Sequence, residues 1–492
     1  MKKVVVIGAG FAGLSAATSL AKKGFDVTLL EKNASPGGRA RKLEIDGFTF
    51  DMGPSWYWMP DVFENYFKEF NTTVAEQYDL VRLDPSYAVF FGKDDVMRIP
   101  ANLNEFYQLF EKHEKGSSVP LKKFLADAEY KYNVSMSDFV HKPSLSILEF
   151  IDFRILNAVV KMDLFKSISK YIKKHFTNPQ LVQLLEFPVL FLGAKPNETP
   201  ALYSMMNYAD IVLGTWYPMG GMFKIVEAMV NVAQKQGVKL KANETVEKII
   251  IENGQATGVI SNGVTYKADI VIGAADYHHV EQNLLEQKYR NYTESYWKSR
   301  KMAPSCLMYY IGIDKRIEGL EHHNLFFDAD FDQHAEEIYD RPQWPKNPLF
   351  YSTCASKTDK TVAPEGKENL VLLIPIAVDI EDTEEIREKY YTLMMDRLEH
   401  LTGQSIKPFV IVKKSYAIKD FKNDYNSFGG NAYGLANTLM QTAILKPSLK
   451  NKKVSNLYYA GQLTVPGPGV PPSIISGQVV AKEINKKFGV KE

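Results

Sequence analysis

The sequence predicts an α/β fold in which a Rossmann-type domain, built on a parallel sheet, is interleaved with an α+β domain. Three observations lead there. The chain starts with a β-α-β unit carrying the spacing Gly-x-Gly-x-x-Gly. Its 492 residues exceed what one hydrophobic core usually supports. Further apolar strands ending in glycine or alanine recur in the middle and near the end, as expected when one sheet is assembled from separated stretches.

The first unit comprises a buried strand from Lys3 to Ile7, a helix from Phe11 to Lys23 ending at Gly24, and a strand from Asp26 to Leu30. Gly8 permits the tight turn, Gly10 the close approach of a pyrophosphate, and Gly13 the packing of helix on strand. Phe11 and Ala12 open the helix, whose free N–H groups suit phosphate. Glu31 ends the second strand, where its carboxylate accepts from ribose hydroxyls and repels a 2′-phosphate; Lys32 beside it is placed in the same site. A glycine fingerprint alone is weak, since such turns also occur for packing. Here strand, glycines, helix and terminal acid fall in register.

Ser35-Pro36-Gly37-Gly38-Arg39-Ala40 adds a second backbone clamp, with a guanidinium able to fork onto phosphate or ribityl oxygens. A plain NAD site does not need it, so FAD is expected. Gly53, Pro54 and Ser55 form a sharp turn suited to an isoalloxazine ring. At the far end, Asn456 to Ala460 reads as a strand ending at Gly461 and Gln462. The loop Thr464 to Ser473, with Pro471, Pro472 and Ser473, then leads into a helix of about a dozen residues. That helix would aim its positive N-terminus at the pyrimidine edge of a reduced flavin.

In the middle, Gly220-Gly221 precedes a helix from Met222 to Gln236, followed by short strands at 238–240, 246–251 and 256–260 and an apolar strand from Ala268 to Ala275. Ala275 joins the expected site at that strand's end. Val246 is expected to meet the adenine through its backbone, although a core strand residue is an equally natural reading. The FAD-binding domain is therefore expected at 1–85, 215–288 and 446–492, and the substrate domain at 86–214 and 289–445, stretches rich in aromatics and methionine.

The composition, 45% hydrophobic and 24% charged with net charge +1, is that of a folded protein with nothing global to attract nucleic acid. Cys306 and Cys354 are too few for a disulfide framework and lack metal-ligand spacing, so no metal is expected. Glycines interrupt the first apolar run too early for a signal peptide, and no run is long enough to span a membrane. Val160, Leu164, Ile168 and Tyr171 or Ile172 recur at helical spacing beside Lys161, Lys166, Lys170, Lys173 and Lys174. Such a segment suits an anionic membrane surface, or a helix packed on its own core with a solvated lysine face. Trp56-Tyr57-Trp58-Met59 either lines a pocket or fills a core.

More specific are Asp51-Met52-Gly53-Pro54, Gly193-Ala194-Lys195-Pro196 with Thr199-Pro200-Ala201-Leu202-Tyr203, and Trp216-Tyr217-Pro218-Met219-Gly220-Gly221. With Gly461 to Pro471, these motifs resemble the bacterial-type carotenoid (phytoene) desaturases in the family's order, over nearly the whole chain. Val465 stands where that family usually has histidine, which bears on the substrate. The resemblance implies non-covalent FAD, a hydrophobic carotenoid substrate, and new C=C bonds made by hydride transfer to flavin plus proton loss. It covers enzymes of the phytoene desaturase and 1-hydroxycarotenoid 3,4-desaturase types, and the chain leans toward the second. It also implies a cytoplasmic protein, peripheral on the inner face of the membrane, with oxygen or a quinone as electron acceptor. No catalytic acid or base is assigned; Asp51 or a carboxylate of the substrate domain is a candidate. A carotenoid isomerase or saturase, an amine oxidase-like flavoenzyme and a non-enzymatic lipid carrier are the alternatives. Neither cysteine lies near the C-terminal flavin loop in sequence.

Overall fold

Five parallel strands run side by side in the order Leu457–Tyr459, Ile270–Gly273, Lys3–Ile7, Asp26–Leu30 and Lys239–Lys241 in the computed structural model, which describes residues 1–150, 166–193 and 195–489. The uninterrupted apolar run of the first strand follows from burial on both faces. Val4 and Val6 pack with the helix Phe11–Lys22 and the C-terminal helix Val470–Phe488, while Val5 and Ile7 face Val246, Ile249 and Val259. The latter belong to a three-stranded antiparallel layer, Val246–Glu252, Gln255–Ser261 and Val264–Lys267.

The C-terminal helix has 19 residues rather than about a dozen, because it starts at Val470 and takes Pro471 and Pro472 into its first turn. Proline is tolerated there, since those N–H groups have no partner within the helix anyway. It lies backbone to backbone on the first helix: a Cβ on Gly477 would stand 2.4 Å from the Ala12 carbonyl oxygen. Ser15 Oγ donates to the Ile474 carbonyl at 2.7 Å.

A second, mixed sheet of seven strands has the order Val410–Tyr416, Ser305–Ile313, Glu368–Ile376, Phe350–Thr353, His323–Phe326, Tyr87–Gly92 and Asp95–Ile99. Only the pairing of His323–Phe326 with Tyr87–Gly92 is parallel within it. The hairpin of Lys42–Ile45 and Phe48–Asp51 ties the sheets together. Phe48 and Phe50 pack among Met308, Tyr310 and Val412 of the mixed sheet, and Gly312 leaves the space that the Phe48 ring fills. The loop leaving this hairpin is thus held at the joint between the sheets.

Val160, Lys161 and Leu164 of the lysine-bordered segment lie outside the described residues. Its remainder is a short helix, Ile168–Lys173, with Ile168 and Ile172 buried and Lys170 and Lys173 exposed.

Candidate functional site

One continuous cavity of about 510 Å³ begins at the C-terminal ends of the parallel strands and passes the joint between the sheets into an apolar chamber. A crevice at that end of a parallel sheet is where nucleotides bind in open α/β folds. Every residue placed in the site from sequence lines this cavity except Gly13. Gly13 serves packing: a Cβ there would stand 1.9 Å from the Gly8 carbonyl oxygen.

The two glycine motifs meet. Gly8, Gly37 and Gly38 have φ of +100°, +112° and +56°, a region that L side chains avoid. The Gly37 N–H donates to the Ala9 carbonyl at 2.8 Å, and a Cβ on Gly38 would lie 3.3 Å from the Gly10 Cα. Between them the helix Phe11–Lys22 starts with no side-chain cap, leaving its first N–H groups to a ligand. Glu31 is buried at the mouth of this cradle. One carboxylate oxygen accepts from the Ala9 N–H at 2.8 Å and the other from Asn33, through its backbone N–H at 2.9 Å and its side-chain amide at 3.0 Å. Each oxygen can accept two hydrogen bonds, so Glu31 is oriented by the protein with capacity left over at Oε2. Lys32 turns to Asn426 Oδ1 at 3.3 Å and to the Asn423 carbonyl.

Arg39 is held from the far side of the chain. Its Nη2 donates to Ser427 Oγ at 3.1 Å and to the Asn431 carbonyl at 3.2 Å, with the guanidinium 5.3 Å from the Tyr425 ring centre. Its Nε is buried without a partner. Burial lowers the Arg39 pKa, and the charge of Asp276 works against that shift. Gly53 lets the next loop approach: a Cβ there would stand 2.2 Å from the Arg39 carbonyl oxygen. Its glycine is required by this backbone contact, a reason separate from nearness to a ring.

At the C-terminal loop, the Gly461 N–H donates to Ser476 Oγ at 3.0 Å and the Gln462 side-chain amide donates to Asn431 Oδ1 at 3.1 Å. The helix beyond differs from the first one. Pro471 and Pro472 have no N–H, and the Ser473 N–H is spent on the Gly469 carbonyl at 3.0 Å. The helix therefore presents its dipole to the cavity with Val470 as the remaining N–H donor of that turn. Val246 satisfies both sequence readings, since its side chain packs in the core while the residue lines the cavity beside Glu244 and Thr245. Ala275 lines it at the end of its strand.

Leu325, Phe327, Phe331, Leu349 and Leu373 are among the walls of the far chamber. Trp56, Trp58 and Met59 line the cavity, whereas Tyr57 is buried outside it with its hydroxyl 2.9 Å from that of Tyr78. Asp51 does not line the main cavity. It accepts from the N–H groups of Met222 at 2.9 Å and Phe223 at 3.3 Å, so it caps the helix Phe223–Lys235, and burial pushes its pKa up to about 6. Asp210, pushed up to about 7 by burial, is likewise held apart, accepting from Tyr87 at 2.7 Å and Thr215 at 3.0 Å. Cys306 lines the same long cavity as the Gly461–Ser473 loop. Burial pushes its thiol up to about 12, which keeps it protonated and a poor nucleophile.

Sequence reading missed Asp276, Tyr425 and Asn426, which line the nucleotide end, and Ser427 and Asn431 behind Arg39. Asp276 directly follows the strand end at Ala275, which was a usable signal; the others carry none.

The flavin containing amine oxidoreductase family matches residues 11–485. A carotenoid 3,4-desaturase of Haloarcula japonica is 39% identical over 482 residues, covering 98% of this chain and 97% of that protein. A zeta-carotene-forming phytoene desaturase of Myxococcus xanthus is 29% identical over 491 residues, covering 98% and 94%. Among solved structures, an oxidoreductase from Methanosarcina mazei superposes with a TM-score of 0.65 at 19% identity, covering 98% of this chain and 100% of that one. At that identity the likeness speaks for the fold.

Proposed function

Because the chain belongs to the flavin containing amine oxidoreductase family, we propose from that premise that it is an FAD-dependent carotenoid desaturase, introducing C=C bonds into a long polyene. The observation that carries the reading is the continuity of the cavity, a glycine-lined nucleotide cradle that opens without a break into an apolar chamber.

The residues fit FAD. Glycines 8, 10, 37 and 38 leave backbone bare where a pyrophosphate would pass, Glu31 is pre-oriented for a ribose, and the Arg39 Nε is a buried donor awaiting an acceptor. In this assignment Phe11 and Ala12 serve the phosphates, Val246 and Lys32 flank the adenosine, and Gly53, Pro54, Ser55, Gly461, Gln462 and Pro471 to Ser473 surround the ring end. When bound, FAD supplies the two-electron acceptor for a hydride lost beside the polyene. The protein orients a hydrocarbon almost devoid of polar handles, through buried apolar area worth about 25 cal/mol per Å².

The residue ranges 1–85, 215–288 and 446–492 are assigned to FAD and 86–214 with 289–445 to substrate, save that Tyr425, Asn426, Ser427 and Asn431 of the last range reach the nucleotide end or Arg39. The 39% identity to a carotenoid 3,4-desaturase supports the 3,4-desaturase type. Peripheral attachment to the cytoplasmic face of the membrane is part of this proposal, as the place where such a hydrophobic substrate dissolves. Among the described residues no helix is long and apolar enough to cross a membrane. Oxygen or a membrane quinone would reoxidise the flavin.

The test is anaerobic incubation with phytoene and with a 1-hydroxylated carotenoid, following bleaching of the flavin and a red-shifted product spectrum. Bleaching by the hydroxylated substrate supports the 3,4-desaturase assignment, and bleaching by neither overturns the desaturase reading.

A further inference from the structure

Loss of hydride beside a polyene leaves a cation that must shed a neighbouring proton, and the apolar walls named for the far chamber, Leu325, Phe327, Phe331, Leu349 and Leu373, offer that proton no acceptor. One polar feature stands where the two ends of the cavity join. Ser55 comes from the loop after the hairpin, Tyr351 from the strand Phe350–Thr353, and their hydroxyl oxygens lie 2.9 Å apart in the cavity wall. Tyr351 Oη is also 2.7 Å from Nδ1 of His323. The His323 ring is stacked on Trp56 with centroids 4.2 Å apart and planes 12° apart, and its Nε2 is buried without a partner. With its proton on Nε2, His323 accepts from the Tyr351 O–H through Nδ1, and Tyr351 accepts from the Ser55 O–H. The surrounding wall includes Leu325, Phe327, Leu349 and Leu373. Hydrocarbon packing alone does not call for a hydroxyl pair there, since burying polar groups costs free energy that an apolar wall avoids.

We propose that Tyr351 receives the proton lost by the substrate while passing its own to His323. This rests on the desaturase reading above. The C–H bond beside the cationic carbon breaks, and its electron pair becomes the π bond of the new alkene. The proton binds Tyr351 Oη as the tyrosine's own proton moves along the hydrogen bond to His323 Nδ1, leaving a neutral tyrosine and an imidazolium. A cation of this kind is acidic enough to protonate even a buried imidazole, and burial keeps His323 neutral beforehand by holding its pKa well below the ordinary value. Tyr351 is the group that meets the substrate; His323 is a positioning residue that acts through it. Ser55 also lines a second, small cavity together with Asp51, Tyr217 and His322.

Tyr351→Phe keeps the ring and removes the hydroxyl. Flavin content should stay unchanged while desaturation slows roughly 10²-fold, the usual contribution of a positioned acid or base, and the melting temperature should fall somewhat because His323 Nδ1 loses its partner. Deuterium at the proton-losing carbon should have little effect in the native enzyme and should slow the variant. A measurement without turnover uses a polyene whose reacting methylene is replaced by a secondary amine, which is cationic when bound. Tyr351→Phe should weaken its binding about tenfold or more and leave the parent hydrocarbon's affinity unchanged. If Tyr351→Phe fails to fold, His323→Gln carries the same comparison of isotope effect and amine binding. Unchanged rate, isotope effect and amine affinity overturn the proposal while a desaturating native enzyme leaves the functional reading standing. A native enzyme that neither bleaches nor desaturates overturns the reading itself.

Discussion

Gly38 crosses Gly10 so closely that a Cβ added to Gly38 would lie 3.3 Å from the Gly10 Cα, whereas one added to Gly10 meets nothing nearer than 4.0 Å. The protein without ligand can therefore accept a side chain at Gly10, but a bound pyrophosphate cannot. Gly10→Val is expected to fold and to lose FAD. Gly13→Ala should instead lower the melting temperature, because its methyl would be driven 1.9 Å from the Gly8 carbonyl oxygen. Flavin-to-protein ratios and melting curves of the two variants separate these effects, and normal flavin occupancy in Gly10→Val would refute the assignment of the cradle.

Arg39 is held by geometry that a lysine cannot copy. Its planar guanidinium lies 5.3 Å from the Tyr425 ring centre and reaches both Ser427 and Asn431, with Nε left over for a ligand. Arg39→Lys keeps the charge and loses the fork. FAD affinity should fall about 10- to 100-fold, equivalent to roughly 1.5–3 kcal/mol for a hydrogen bond to a charged group. Titration of the apoprotein with FAD, followed by quenching of flavin fluorescence, measures this directly.

Asp51 gives stability a dependence on pH that catalysis does not require. Its folded pKa of about 6 lies above the ordinary value of 3.8. The folded protein thus holds this proton over a range where the unfolded chain has lost it. The contribution is fully present below about pH 4 and is lost as pH rises through 6, a swing on the order of 3 kcal/mol. Asp51→Asn should flatten that part of the stability-pH curve, as read by urea unfolding at several pH values. An unchanged slope would show that Asp51 is not the titrating group.

The β-α-β unit was legible because each of its signals is local. Strand, glycines, helix and Glu31 follow one another within the first 31 residues, and their spacing alone dictates the cradle. The Gly37–Arg39 clamp and the C-terminal loop were legible for the same reason. The groups behind Arg39 were not, because Ser427 and Asn431 reach it across 388 and 392 residues of sequence. The role of Asp51 also depends on a distant element, the helix that begins at Phe223. The last helix is longer than expected because Pro471 and Pro472 read as part of the loop before it, whereas they occupy its first turn.

Lys446 carries a buried amine beside the C-terminal loop, for its Nζ lies 3.1 Å from where a Cβ of Gly467 would stand. It donates to Asn437 Oδ1 at 2.8 Å, and Asn437 lines the cavity. Burial lowers the Lys446 pKa from 10.5 to about 7, so near neutral pH much of this amine is uncharged. Because the folded value lies below the unfolded one, its contribution is present above pH 10.5 and is lost as pH falls through about 7. Lys446→Met removes the group that must be kept unprotonated. Its stability relative to the native protein should rise steadily as pH is lowered from 10 to 7 and then level off, by an amount on the order of a few kcal/mol at most. The loss of a donor to Asn437 subtracts a constant, about 1 kcal/mol, without changing that slope. Parallel pH series of urea unfolding for the two proteins read the slope, and two parallel curves would show that the amine stays charged inside the fold.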